Sequence, residues 1–325
     1  MAPAAHPVQL ISYGVLISLG ILGNSAVFAS IALTASSNRA LALSDMLLLN
    51  IALVNLLLTL ARGPLLLVSD AGFALSLSDT DCQLLMYSWV WLRSVSVWLT
   101  LCLSLYHFII IRSSQQGMGR LRRQRCLLIT VMLVWILNLV YASIAFPYTS
   151  SSVENGTQPR LFLLSSTIRP LLSCTWRFPS GFAALLYAAI AVAFHELLPI
   201  LLMLGANTSS LLTLYKHHRQ VCPSMVNSSR VRSEIKAAKT ILLLVLFYFF
   251  FWLVHVLAVN YLTRQSSSRV SQDMVVVARF TAAGFTGLYP LCVAVAHSRL
   301  RKQTKTALQS CCRAAEVQKV FCRST

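Results

Sequence analysis

The chain has 325 residues, of which 57% are hydrophobic and 11% charged, and its mean hydropathy is +0.70. A soluble globular domain carries about 25% charged residues, so this composition excludes that class and indicates a membrane protein. The net charge of +18 suits an anionic partner, and its distribution along the chain decides which kind.

Seven long apolar segments, separated by polar stretches, follow one another along the chain. They cover residues 10–33, 43–69, 83–111, 126–147, 182–214, 237–262 and 274–296. Each meets the ~20 apolar residues that a helix needs to cross a hydrocarbon core of ~30 Å. Because lipid offers the backbone no hydrogen bonds, each segment must form a helix. The sequence predicts an all-α fold: a seven-transmembrane-helix bundle over residues 1–300 and a cytoplasmic tail over 301–325.

The basic residues orient this bundle. Most of the 27 Lys and Arg residues fall in alternate loops on one face and in the tail, and the opposite face carries only Arg160, Arg169, Arg177, Arg264 and Arg269. Basic loops remain cytoplasmic, which places the N-terminus outside the cell and the C-terminus inside. The positive charge then reflects topology and attraction to anionic membrane lipid, and no nucleic-acid partner is expected.

The cysteines and glycosylation triplets agree with this orientation. Of nine cysteines, only Cys82 and Cys174 fall on the outer side, where an oxidising environment favours a disulfide between them. Among three Asn-x-Ser/Thr triplets, only Asn155 lies in an outer loop and is open to glycosylation. Cys311 and Cys312 in the tail suit S-acylation, with two unmodified thiols as the alternative. No His/Cys spacing resembles a metal site, and no cofactor is expected.

Ionisable residues inside the predicted spans are costly and therefore point to a partner or a cavity. Those in the middle or outer half of the bundle are Arg62, Arg93, His195, Glu196, His255 and Arg279. In one account, Glu196 pairs with one arginine while the others bond backbone carbonyls or extend to the interface. In the other, an arginine faces an open pocket and binds an anionic group of a small molecule. Depth in the membrane favours Arg93 and Arg279 for the second account.

Aromatic side chains on the third, fifth and sixth segments are candidates for pocket walls. They are Tyr87, Trp91, Trp98, Phe194, Trp252, His255 and Tyr261. The run 247–252 points in every direction around a helix, so most of its rings must face lipid or neighbouring helices.

Short motifs carry a family resemblance. Gly23-Asn24-Ser25 and the run Asn50 to Leu57 resemble rhodopsin-like G-protein-coupled receptors. Several further stretches resemble vomeronasal type-1 receptors and the fish olfactory receptors related to class A; they are Arg93–Ser96, Leu103–Phe108, Leu214–Val221 and Ala237–Val245. The resemblance covers most of residues 10–300.

This resemblance implies a chemosensory receptor of the plasma membrane of sensory neurons. A small molecule of the pheromone or odorant type is then the ligand, and a heterotrimeric G protein is the partner. Asn24 and Asn55 correspond to the polar pair inside helices one and two, Glu196 to an acidic position of helix five, and Trp252 to the base of the pocket. A receptor is not an enzyme.

The chain also departs from the general receptor pattern. His107, in Tyr106-His107-Phe108, stands where most rhodopsin-like receptors have the arginine of Asp-Arg-Tyr, and vomeronasal type-1 receptors also lack that triplet. With His107, the basic residues Arg122 and Arg123 are candidates for the G-protein side, although solvated loops that merely set topology would look the same.

Two alternatives stay open. Bitter-taste receptors share the seven-helix architecture, but their pattern matches less well. A membrane transporter commonly shows an internal repeat and broken helices, and no such repeat is visible here. An intramembrane hydrolase would need a nucleophile and base, and only His195-Glu196 suggests one. Adjacent residues of a helix point ~100° apart, which is poor geometry for a shared metal.

Overall fold

The computed structural model describes residues 7–36, 42–73, 75, 77–112, 120–151, 172, 174–221, 242, 245–258, 261 and 269–296. The helices are α1 (Pro7–Ser36), α2 (Leu43–Asp70), α3 (Asp79–Arg112), α4 (Arg120–Ala142), α5 (Ala145–Tyr148), α6 (Gly181–Val192), α7 (Leu198–Val221), α8 (Val245–Ala258) and α9 (Arg269–Ala296). A π-helical turn, Ala193–Leu197, joins α6 to α7. Asn155, Cys311, Cys312 and the tail 301–325 lie outside the described residues.

The helices form a membrane bundle. Five helical stretches in the described part of the chain are long and apolar enough to cross a bilayer: Pro7–Ser36, Leu43–Asp70, Asp79–Arg112, Arg122–Tyr148 and Gly181–Thr213. A shorter apolar helix, α8, follows them. Aliphatic side chains such as Ile129, Leu137 and Val140 on α4 are exposed on the surface of the bundle and suit contact with lipid.

The third helix is the centre of the bundle. It packs against α2, α4 and α7, while α1 packs against α2 and α9. Half of the most apolar stretch of α2 and of α3 is buried, against 28% of the corresponding stretch of α1 and α4. Polar and charged side chains on α2 and α3 therefore lie inside the protein, where they can form a site.

Small residues let α1 and α9 approach closely. An added Cβ at Gly23 would stand 2.7 Å from the Cβ of Pro290, which is inside van der Waals contact. Gly20 is also near Gly287, since its added Cβ would lie 3.3 Å from that residue's Cα. Such contacts are how membrane helices gain packing without a hydrophobic driving force.

A two-stranded antiparallel sheet covers one end of the bundle, in addition to the all-α fold predicted from the sequence. Strand β1 (Thr149–Ser151) pairs with β2 (Cys174–Trp176), with Ser151 opposite Cys174. Strands of three residues are too short to show the alternation that sequence analysis relies on. The predicted disulfide is present: Cys174 of β2 is bonded to Cys82 in the first turn of α3. The sheet is therefore attached directly to the central helix.

The α6–α7 junction has a local origin. Proline lacks an N–H group, so Pro199 fits near the start of α7, where no intrahelical donor is needed. In the preceding π turn the N–H of Leu198 bonds to the carbonyl of Ala193, five residues earlier. A π turn inserts one extra residue and rotates the side chains before it. The turn contains both His195 and Glu196.

Candidate functional site

Arg93 reaches from α3 toward α8. Its side chain is buried, at 7% exposure, and its Nη2 donates to the Tyr248 hydroxyl at 3.5 Å. The guanidinium carbon also lies 5.4 Å from the centre of the Tyr248 ring, within cation–π range. A hydrogen bond of 3.5 Å is long, so Tyr248 holds the arginine only weakly. The donors of Arg93 are thus well suited to exchange this contact for an anionic group.

Glu196 lies on the other side of Tyr248. It is 2% exposed, and its Oε2 accepts a hydrogen bond of 2.9 Å from the Trp252 indole N–H. Tyr248 and Trp252 are four residues apart on α8, so they share one helix face. The charges of Arg93 and Glu196 both act on the Tyr248 hydroxyl. One face of α8 therefore gathers a buried cation and a buried anion from α3 and the π turn.

His195 points away from Glu196. The Trp98 indole N–H donates to its Nδ1 at 3.4 Å, and the His195 ring stacks on Tyr141 with centroids 3.8 Å apart. The histidine thus joins α3 and α4, whereas its neighbour joins α8. The two residues do not converge on one point, which argues against a shared metal or a catalytic pair. Among the described residues, no cluster of three or more His, Cys, Asp or Glu could hold a metal ion.

His255 connects α8 to α9. It is 3% exposed, and its Nδ1 lies 2.9 Å from the Ala278 carbonyl and 3.3 Å from the Thr281 hydroxyl. The Arg62 and Arg93 charges both act on this imidazole. His255 therefore closes the α9 side of the region that contains the buried arginines.

Arg62 occupies a separate place between α2 and α3. It is 6% exposed, and its guanidinium carbon lies 4.2 Å from the centre of the Trp89 ring. A cavity of about 20 Å³ adjoins it, and the lining side chains come from α1, α2, α3 and α9. The third arginine, Arg279 of α9, forms an ion pair with Asp70, the last residue of α2.

The comparisons with known proteins identify the family. A model described as the vomeronasal organ pheromone receptor family matches residues 11–306. The chain belongs to this family. It is 35% identical to "Olfactory receptor class A-like protein 4" of Danio rerio over 94% of this chain and 90% of that protein. It is 28% identical to "Olfactory receptor class A-like protein 1" of the same species, over 92% of each chain. The suspected resemblance is confirmed: this is a multi-pass membrane protein and a chemosensory receptor, which points away from an enzyme.

The polar positions inside the receptor's helices form interhelical hydrogen bonds. Asn24 is fully buried and donates to the carbonyls of Gly20, at 2.7 Å, and Thr286 of α9, at 3.0 Å. Asn55, also fully buried, accepts at 3.0 Å from the Ser96 hydroxyl of α3. Within the described residues, the Asn24 Oδ1 and Asn55 Nδ2 have no hydrogen-bond partner. The two asparagines thus join α1 to α9 and α2 to α3.

The aromatic prediction was wrong for Phe194, whose side chain is 55% exposed. Phe194 lies inside the π turn, and the extra residue of that turn rotates it away from the direction that a regular helix would give. Trp252 lies in the core beside Glu196, and Trp91 packs edge-on against Trp135 of α4 at 5.5 Å.

The residues proposed for the G-protein side lie at the other ends of the helices. His107 is half-buried near the end of α3 and packs edge-on against Tyr106 at 5.6 Å. Arg122 is exposed and Arg123 is half-buried in the first turn of α4. They are accessible, as a docking surface requires, and equally so as a solvated loop end.

Sequence reasoning missed the partners of the buried charges. Tyr248 holds Arg93, Trp89 holds Arg62 and Asp70 holds Arg279. The predicted span ends at residue 69 and leaves Asp70 in a loop, but Asp70 is the last residue of α2, with a side chain only 9% exposed. It follows the buried Leu66 by four residues and so continues the buried face of that helix, a signal that a longer predicted helix would have revealed.

The Asp70–Arg279 pair makes a distinct prediction. We expect Asp70→Asn or Arg279→Gln alone to lower the stability of the receptor by roughly 1–2 kcal/mol, between the values for exposed and buried pairs. The exchanged variant Asp70→Arg/Arg279→Asp should recover most of this loss in a thermal unfolding assay of purified protein. If Arg279 instead binds ligand, exchange would not restore the response, and Arg279→Gln would weaken it without lowering stability.

Proposed function

We propose that the protein is a G-protein-coupled chemosensory receptor of the plasma membrane, with seven membrane helices, an extracellular N-terminus and a cytoplasmic C-terminus. The asymmetry of the basic residues supports this orientation. The names of the two zebrafish relatives support olfaction as its role, in chemosensory neurons. The residues of 301–325 are its cytoplasmic tail.

The ligand of this receptor is a small acidic molecule. The observation that carries this proposal is Arg93, a buried arginine whose donor reaches a tyrosine hydroxyl at 3.5 Å and whose charge lies over the same ring. Guanidinium groups match the geometry of carboxylates, and a carboxylate would give Arg93 a stronger bond than Tyr248 does. The binding region lies between α3, the π turn, α8 and α9. Its candidate contacts are Arg93, His195, Glu196 and Trp252, with Arg62 and Arg279 at its edge.

Binding acts through the helices that share the site. Tyr248 and Trp252 of α8 are bonded to Arg93 of α3 and Glu196 of the π turn. A carboxylate that draws Arg93 away from Tyr248 releases one link between α3 and α8. If the rearranged state binds the ligand more tightly, the ligand increases its population. The inner ends of α3 and α4, with His107, Arg122 and Arg123, then contact the G protein.

The alternatives receive less support. The family match and the relatives favour a vomeronasal-type receptor over a bitter-taste receptor. A transporter would require a path through the membrane midplane, whereas the centre of α3 is packed with buried side chains.

The test of the proposed function is a second-messenger assay in cells expressing the chain. The cells are challenged with matched carboxylic acids, alcohols and amines of the same carbon skeleton, and calcium or cyclic AMP is recorded. We expect responses to acids only, abolished when the G protein is inhibited. Responses that are independent of G proteins would overturn the coupling, and responses to amines alone would overturn the acidic ligand.

Topology can be tested independently. An epitope at the N-terminus should be accessible to antibody on intact cells, and one at the C-terminus only after permeabilisation. Asn155→Gln should remove a glycosidase-sensitive mass shift, because Asn155 is the triplet assigned to the outer face. Asn227→Gln, in a triplet assigned to the cytoplasmic face, is the matched control and should leave the mass unchanged.

A further inference from the structure

The cavity beside Arg62 has the chemistry of a binding site of its own. It lies between α1, α2, α3 and α9 and is lined by Tyr13, Leu16, Ile17, Leu58, Thr59, Arg62, Gly63, Trp89, Ala282, Ala283 and Thr286. Arg62 is the one side chain of this lining with a permanent charge. The remainder is apolar apart from hydroxyl groups and one indole, so the cavity offers a cation in a dry surrounding.

Arg62 has no anionic partner in the part of the chain that the structure describes. Its Nε carries no hydrogen bond there, although the side chain is 6% exposed. The nearby charged groups that act on it include Arg93 and Arg279, both of the same sign. Asp70 is bonded to Arg279 and is thereby engaged elsewhere.

The cation–π contact with Trp89 compensates this charge only in part. The ring, with its centre 4.2 Å from the guanidinium carbon, covers one face of the group. Such a contact is weaker than an ion pair, whereas the desolvation of a buried charge is a large penalty. The Nε–H lies in the plane of the guanidinium and remains free to donate. An anion beside Arg62 would supply both the missing acceptor and the missing charge.

The size of the cavity selects the occupant. Its volume of about 20 Å³ exceeds the ~10–15 Å³ that a single water needs but is far below the ~300–1,000 Å³ of a pocket for an organic ligand. It therefore accepts one compact ion. We propose that the cavity at Arg62 is a halide site, occupied by chloride from the extracellular medium and separate from the ligand region at Arg93.

This site extends beyond the proposed function and does not depend on it. Chloride would neutralise Arg62 at the contact of α1, α2 and α9, and so stabilise that contact whether or not an odorant is bound. The same anion chemistry has a second source, the carboxylate of an acidic ligand, and the two sources are separable by experiment.

The experiment measures the thermal unfolding of the full-length receptor purified in detergent. Sodium chloride is compared with sodium gluconate at equal ionic strength, because gluconate is too large for the cavity. We expect chloride to raise the melting temperature of the wild type by roughly 2 °C or more, with saturation as its concentration rises. The increase should be absent in Arg62→Gln and in Ala283→Leu, which fills the cavity while keeping the arginine.

Arg93→Gln is the matched control, because it removes an equal charge outside the cavity lining and should keep the chloride effect. Equal melting temperatures of the wild type in the two salts would overturn the proposal, as would a chloride effect that persists in both Arg62→Gln and Ala283→Leu. Stabilisation by an acidic odorant in chloride-free buffer that Arg62→Gln abolishes would assign the site to the ligand carboxylate and overturn the halide assignment.

Discussion

Replacement of Arg93 by alanine is expected to raise the concentration of acidic ligand needed for half-maximal response by at least ~30-fold. Removing one partner of a buried hydrogen-bonded charge pair costs about 2–5 kcal/mol, and ~1.4 kcal/mol corresponds to tenfold in affinity. Arg93 is buried at 7% exposure, so no solvent would replace its donors. The measurement is a dose–response curve for second-messenger release, normalised to receptor at the cell surface.

Two variants control this result. Arg93→Lys keeps the charge but loses the planar fork, and it should fall between the wild type and Arg93→Ala. Tyr248→Phe removes the hydroxyl that accepts from Arg93 and keeps the ring. Since the hydroxyl competes with the ligand, this variant should respond at lower acid concentrations. Unchanged potency in Arg93→Ala would contradict the role of this residue as the anion contact.

Loss of the Cys82–Cys174 disulfide is expected to have the largest effect on stability. The bond closes a sequence separation of 92 residues and attaches β2 to the start of α3. Removing a native disulfide typically costs about 2–5 kcal/mol, which corresponds here to a fall of roughly 5–15 °C in melting temperature. The measurement is thermal unfolding of Cys82→Ser/Cys174→Ser, together with its amount at the cell surface.

Cys126→Ser is the matched control for this prediction. Cys126 is an exposed free cysteine on α4, so its substitution should leave both quantities unchanged. If the double variant reaches the surface in normal amounts and melts with the wild type, the outer sheet does not depend on the disulfide. The hydrogen bonds from Ser151 to the Asp79 carboxylate, at 2.7 and 2.8 Å, would then be the contacts that hold it.

Features governed by the membrane can be predicted from the sequence. The apolar segment 83–111 lies within α3, and segment 43–69 within α2, because the bilayer imposes a minimum length on every span. Cys82 and Cys174 are expected to pair because the predicted topology places both on the oxidising side. These arguments need only composition and order along the chain.

The contacts of the buried charges cannot be predicted in the same way. Tyr248 lies in the aromatic run 247–252, where every direction around the helix is equally apolar, so no face is distinguished. The prediction of Phe194 as a pocket wall assumes a regular helix, and the π turn Ala193–Leu197 changes that direction. A π turn depends on tertiary packing and leaves no periodic signal in the sequence.

Asp70 and Arg279 show a third limit. Their separation along the chain is large, and sequence analysis offers Glu196 as the only buried acid for three arginines. The fold brings the end of α2 beside α9 and supplies a second acid. This leaves Arg93 and Arg62 as the arginines available to anions from outside the protein.

The most direct test of the account is nucleotide exchange on a purified G-protein heterotrimer by the receptor reconstituted in lipid nanodiscs. Matched acidic, neutral and basic odorants are added to the wild type and to Arg93→Ala. The account predicts that an acid accelerates exchange on the wild type and that Arg93→Ala requires at least ~30 times more of it. Exchange that no odorant alters, or that an acid accelerates equally in both proteins, would contradict it.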